Sequence, residues 1–233
     1  MSPLLFIARV LTGRFSAEDV ENTGRAHLIG GLAFTWLAGI GRYWDSPRAS
    51  TLQHLGLGSV AYVLVLSAFL WLLLMPLRPE RWSYVKILTF VCAVAPPALL
   101  YAIPVERFMS LNAARSVNVW FLAIVATWRV ILYVIFLFRY AGFRYLRLFV
   151  GALLPLVIIV FGLTALNLER AVFDIMAGVS PTEGTSADTA YSVLFALSLF
   201  SYLASPIVFL LYLIAIYNAR QAKPRPLEHQ GPP

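Results

Sequence analysis

The sequence predicts an all-α protein, a polytopic helical bundle suited to lipid, from three observations. Apolar residues fill 60% of 233 positions and charged residues only 12%, far below the roughly 25% charge of soluble domains. Mean hydropathy is +0.78. Several uncharged runs also reach about 20 residues, the length that crosses a hydrocarbon core of about 30 Å.

Four runs are unbroken, at positions 57–77, 87–105, 148–168 and 189–219, and a fifth, 116–138, contains a single charge, Arg129. Positions 26–43 are shorter and glycine-rich; six transmembrane helices are expected if they cross and five if they do not. Counting them as a span sends Arg9, Arg14, Arg25, Arg78, Arg81, Lys86, Arg139, Arg144, Arg147, Arg220, Lys223 and Arg225 to one side. Arg42, Arg48, Arg107, Arg115 and Arg170 fall on the other, with the acid-rich stretch 169–188. That asymmetry predicts six spans with both termini cytoplasmic, in the inner membrane of a bacterial cell.

Three regions follow: a cytoplasmic amphipathic segment at 1–25, a membrane domain at 26–219 and a disordered tail at 220–233. In the first, Leu4, Ile7, Ala8, Leu11 and Phe15 keep helical spacing with Arg9 and Arg14 off that face, as in a short helix lying on the membrane surface. Ser16 and Asp19 then form a capping-box pattern. The net charge of +7 is dispersed among connections, where it complements anionic lipid rather than nucleic acid. The expected partners are membrane lipids and other membrane proteins or further copies of the chain.

Arg129 is the first candidate site residue. A guanidinium near mid-membrane costs about 2.5–3.5 kcal/mol on insertion scales, so it needs a partner. Pro96 and Pro97 lack N–H groups, which leaves the carbonyls of Cys92 and Ala93 without their usual helical donors. We expect Arg129 to face the interior and bond to that break.

A second candidate is an outer vestibule of Glu106, Arg107, Asn167, Glu169, Arg170 and Asp174, gathered by the predicted topology at one interface. A third is a set of small-residue seams. Gly31, Thr35 and Gly39 recur every four positions, and Ser198, Ser201 and Ser205 share a helix face, which allows close backbone approach in lipid. Trp82, Tyr84, Tyr140 and Tyr145 lie beside basic residues at predicted membrane edges, as interfacial belts do.

No metal, cofactor or catalytic constellation is expected. His27 and His54 fall at opposite ends of the predicted bundle, and paired cysteine ligands, HExxH, GxSxG and P-loop patterns are missing from the sequence. The lone cysteine, Cys92, cannot close an intramolecular disulfide.

The stretch ATWRVILYVIFLFRYAGFRYLRLFVGALLPLVIIV, positions 126–160, runs from a span with a basic end, through a short glycine-bearing loop, into a span with proline near its start. AVAPPALLYAIP precedes it. In this order it resembles the C-terminal part of the bacterial Yip-type membrane domain, over about half the chain. The resemblance implies a multi-span bundle that binds partners or lipids, with no catalytic residue to carry over. The expected function is therefore a non-enzymatic scaffold or assembly protein. The alternative is a small transporter or channel subunit with a site around Arg129, since broken helices with polar groups at depth build transporter sites.

Overall fold

Hydrocarbon offers no partner for backbone N–H and C=O groups, so apolar runs must close their own hydrogen bonds as helices. The computed structural model describes residues 1–44, 50–166 and 188–221, without the side chains of 106, 111, 112, 115 and 188–194. Its α-helices are α1 (Pro3–Leu11), α2 (Ala17–Glu21), α3 (Arg25–Tyr43), α4 (Thr51–His54), α5 (Leu57–Leu74), α6 (Tyr84–Ala93), α7 (Leu111–Arg139), α8 (Tyr145–Ala165) and α9 (Asp188–Gln221). Three 3-10 segments, Met75–Leu77, Pro96–Ala102 and Val105–Arg107, end α5, continue α6 and precede α7.

Four helical segments are long and apolar enough to cross a membrane: Leu57–Leu77, Ser116–Arg139, Tyr145–Ala165 and Phe195–Gln221. A fifth results if α6 and Pro96–Ala102, bent by 42°, count as one. The run at 87–105 is thus a broken helix rather than a straight span. Two adjacent prolines remove two successive donors, and the chain tightens into 3-10 geometry beyond them. Helix α3 is not in the set, because its glycines and its Arg25, His27 and Arg42 dilute its hydropathy. It still spans 19 residues, about 28 Å at roughly 1.5 Å each, and packs along α5, α6 and the 3-10 segment after α6. Helices α8 and α9 pack on each other, with α7 and α5 against α8.

The N-terminal segment and the connectors after α5 and α7 meet at one end of the bundle. The Glu80 N–H donates to the Ala141 carbonyl at 3.0 Å. Arg139 Nη1 donates to the Gly13 and Phe15 carbonyls, each at 2.7 Å, and Lys86 Nζ to those of Thr23, at 2.7 Å, and Glu21. The core lies just inside this end. Phe90 stacks on Phe136 at 4.1 Å and Phe136 on Tyr140 at 5.0 Å, with Phe15 5.9 Å from Phe90.

The N-terminal segment packs into this core. Ser16 and Asp19 form the capping box, Ser16 N–H to Asp19 at 2.8 Å and Asp19 N–H to Ser16 at 3.0 Å. The buried face of α1 is Phe6, Ile7 and Val10, joined beyond the helix by Phe15, while Leu4 and Ala8 are exposed. Of the expected apolar set, Ile7, Leu11 and Phe15 pack into the core, and Leu4 and Ala8 stay exposed. Helix α1 packs against α3 and α6, so its apolar side is set by those neighbours. Trp82 and Tyr140, expected at a membrane edge, both pack at this end of the core. Trp82 packs near Phe136 and Phe143 and donates to the Trp71 carbonyl at 2.9 Å, and Tyr140 is buried and donates to Glu21 at 3.2 Å. Tyr145 is 92% exposed.

Candidate functional site

Prolines organise the polar chemistry of the bundle. A proline inside a helix withholds the N–H that the carbonyl four residues earlier requires, and in lipid that carbonyl must find another donor. At Pro155, inside α8, the carbonyl concerned is that of Gly151, and the Tyr133 hydroxyl donates to it from α7 at 2.8 Å. At Pro206, inside α9, it is that of Tyr202, and the Ser205 hydroxyl donates to it at 2.9 Å from the same helix.

At the double proline the donors shift. The Cys92 carbonyl, expected to be left open, receives the Ala95 N–H at 3.1 Å, and the Ala98 N–H turns to the Ala95 carbonyl at 2.9 Å. Val94 thereby loses both candidate donors, since Pro97 has none and Ala98 is spent elsewhere. Arg129 Nε donates to the Val94 carbonyl at 3.2 Å. The expectation that Arg129 bonds to Cys92 or Ala93 is corrected by one residue beyond Ala93; 3-10 tightening moves the open carbonyl toward the prolines. Tyr62, Tyr101 and Arg42 lie within electrostatic reach of the guanidinium, and Arg42 sits over the Tyr101 ring at 5.2 Å.

Arg129 and Tyr133 are four residues apart, one turn of α7, and therefore share a face. One holds the break after α6 and the other holds α8. Tyr133 went unnoticed in the sequence reading, although its spacing from Arg129 and the Gly151–Pro155 interval were both visible. A related cap joins α9 to α5: the Tyr212 hydroxyl donates to the Leu73 carbonyl at 2.7 Å, in the turn that Pro76 ends.

The small-residue stripe of α3 lies at two close contacts. A methyl on Gly31 would meet Cys92 Cβ at 2.8 Å, and one on Gly39 would meet the Gly56 carbonyl at 2.8 Å and Ser59 Oγ at 2.7 Å. Thr35 between them is buried and donates to the Gly31 carbonyl at 3.0 Å. On α9, Ser198 and Ser201 are buried and Ser205 is half-buried; among the described residues the Ser198 hydroxyl has no hydrogen-bond partner.

Of the vestibule residues, Arg107 sits over the Trp44 ring at 5.0 Å, and Trp44 Nε1 donates to the Ala102 carbonyl at 3.0 Å. Glu106 contributes its backbone to the 3-10 segment before α7, while its side chain, with Asn167, Glu169, Arg170 and Asp174, lies outside the described residues. His27 donates through Nε2 to the Met1 carbonyl at 3.1 Å and accepts the Gly24 N–H at Nδ1. Among the described residues no three His, Cys, Asp or Glu side chains group as a metal site.

Near the basic end, Asp19 accepts the Ser16 N–H and pairs with Arg9 at 3.0 Å. The amide first, with help from the guanidinium, holds its carboxyl below the ordinary value. Two cavities open at this end. One of about 630 Å³ is lined by Glu80, Arg144, Arg147 and Asn218 among others, and one of about 730 Å³ by Glu18, Glu21, Glu80, Arg81 and Tyr140 among others. Neither is lined by Arg129.

Helices of this length and hydropathy, capped across their prolines, define the chain as an all-α candidate polytopic membrane protein. Searches against protein-family models, curated proteins and solved structures find no match.

Proposed function

We propose that this chain is a non-enzymatic scaffold or assembly protein of a cytoplasmic membrane, with six spans and both termini on the basic side. The observation that carries the reading is the use of the buried arginine. Its Nε donor goes to the Val94 carbonyl freed by the proline break, as the Tyr133 hydroxyl goes to the Gly151 carbonyl. Polar groups at depth that hold helices to one another serve assembly. A transport site needs such groups turned toward a water-filled path, and neither cavity at the basic end is lined by Arg129. The six-span topology is supported by the meeting of residues 13–23, 80–86 and 139–141 at one end, and by the length of α3. Kinship with the Yip-type domain is part of the proposal and rests on the order of residues in 126–160.

The test is mild detergent extraction after crosslinking in the membrane, with mass spectrometry of what copurifies, beside solute flux in liposomes holding the purified chain. Specific crosslinks to other membrane proteins or between copies, with tight liposomes, are expected. Flux with no crosslinked protein would replace this reading by the transporter alternative.

A further inference from the structure

The 630 Å³ cavity at the basic end joins three parts of the chain far apart in sequence. Arg144 and Arg147 come from the start of α8, Glu80 from the connector between α5 and α6, and Asn218 from the last turn of α9, with Ala215 and Ala219 adding apolar lining. Its volume falls within the roughly 300–1,000 Å³ typical of small-molecule sites. Both signs of charge line it, yet they do not pair: among the described residues the one salt bridge is Arg9–Asp19. Arg144 spends Nη1 on the Phe138 and Phe143 carbonyls, at 2.6 and 3.1 Å, and its stacked ring, Phe138, lies 3.6 Å from the guanidinium carbon. That fixes the side chain while sparing its other donors. Arg147 lies over the Phe143 ring at 6.0 Å, and among the described residues no hydrogen bond engages its guanidinium, the Glu80 carboxylate or the Asn218 side-chain amide.

The backbone here is also held under constraint. Gly142 has φ +69°, and a methyl on it would meet the Glu80 carboxyl carbon at 2.4 Å, so the carboxylate rests on bare backbone. Tyr145 has φ +46° and Arg78 φ +50°, left-handed conformations that a side chain disfavours. Arg78 anchors this corner by donating to the Ala219 carbonyl at 3.4 Å.

We propose that this cavity binds the headgroup of a zwitterionic aminophospholipid, its phosphate against Arg147 and Arg144 and its primary ammonium against Glu80. Guanidinium groups match phosphate oxygens with charge-assisted, fork-like hydrogen bonds. A carboxylate in the same cavity disfavours a purely anionic ligand and accepts the N–H donors of an ammonium. Asn218 bonds ester or phosphate oxygen, and the alanines border the glycerol end. Basic pockets between membrane helices are suited to lipid headgroups. This inference holds whether the chain assembles complexes or transports a solute.

The test uses the full chain in mild detergent, titrated with phosphatidylethanolamine, phosphatidylglycerol, phosphatidylcholine or inorganic phosphate, with bound lipid counted by native mass spectrometry. Phosphatidylethanolamine is expected to be retained best, and phosphatidylcholine, whose quaternary nitrogen has no N–H, less well. Glu80→Gln should weaken phosphatidylethanolamine about tenfold and strengthen phosphatidylglycerol. Arg147→Gln should weaken every phospholipid, with recovery in Arg147→Lys. Unchanged thermal unfolding of each variant separates lost binding from lost folding. Tighter phosphatidylglycerol in the parent, equal lipid affinities, no change of preference in Glu80→Gln, or displacement of lipid by millimolar inorganic phosphate would each overturn the assignment.

Discussion

The proline pair between α6 and α7 and the single proline in α9 handle the same chemical defect in opposite ways. Pro96 and Pro97 end the α-helix, bend the chain by 42° and leave the Val94 carbonyl to a guanidinium from another helix. Pro206 sits inside a continuous helix of 34 residues, and the Tyr202 carbonyl is met by the next-door Ser205. Pro155 lies between them: its helix continues, yet its open carbonyl is met from α7 by Tyr133. The number of donors lost decides whether a helix breaks. Where the replacement donor comes from decides whether the repair also joins helices.

That distinction has energetic content because the reference state of a membrane bundle is the set of separately inserted helices. A bond between helices is lost when they separate; a bond within one helix survives. Arg129 supplies the strongest inter-helix cap, so Arg129→Met should have the largest effect. Methionine keeps comparable length and removes the charge, which leaves the Val94 carbonyl facing protein without a donor. Loss of a hydrogen bond to a charged group costs about 1.5–3 kcal/mol. Equilibrium unfolding in bicelles should register that loss, and a variant as stable as the parent would mean that Arg129 is not a clamp.

Tyr133→Phe comes next. It deletes one neutral hydroxyl and keeps the ring, so the expected loss is about 0.6 kcal/mol, the average for hydrogen bonds between membrane helices, and at most about 1.7 kcal/mol. Cysteine crosslinking yields between α7 and α8 should fall with it. A double variant with Arg129→Met tests whether the two donors act as one clamp: their shared face of α7 predicts a combined loss different from the sum.

How far the sequence revealed this arrangement depends on the distance over which each feature is decided. Uncharged runs located α5, α7, α8 and α9, because hydropathy and length are local properties. The double proline located the break, and the lone arginine marked its partner. The acceptor was missed by one residue beyond Ala93, since the N–H groups of Ala95 and Ala98 redistribute only once 3-10 geometry is adopted. The burial of Phe6 and Val10 in α1 was not legible for a related reason: nine residues carry a weak periodic signal, and the neighbours α3 and α6 choose among its apolar positions. Glu80, Arg147 and Asn218 carry no pattern that would unite them. Their cavity exists only where the connector of 78–83, the start of α8 and the end of α9 converge.

Ser205→Ala is the smallest expected perturbation and the sharpest test of the contrast. The Ser205 hydroxyl donates to the carbonyl three residues before it in the same helix, a contact available whether or not α9 has met α8. Its contribution is therefore present on both sides of the unfolding equilibrium and should largely cancel, giving a change of about 0.5 kcal/mol or less. The local geometry should respond instead, because the Tyr202 carbonyl must turn elsewhere and the bend at Pro206 is free to change. Spin-label distances across Pro206 would detect that adjustment with stability intact. A loss in Ser205→Ala as large as that in Tyr133→Phe would mean that the Tyr202 carbonyl is part of the packing between helices, and that the separation of local from inter-helix repair does not hold.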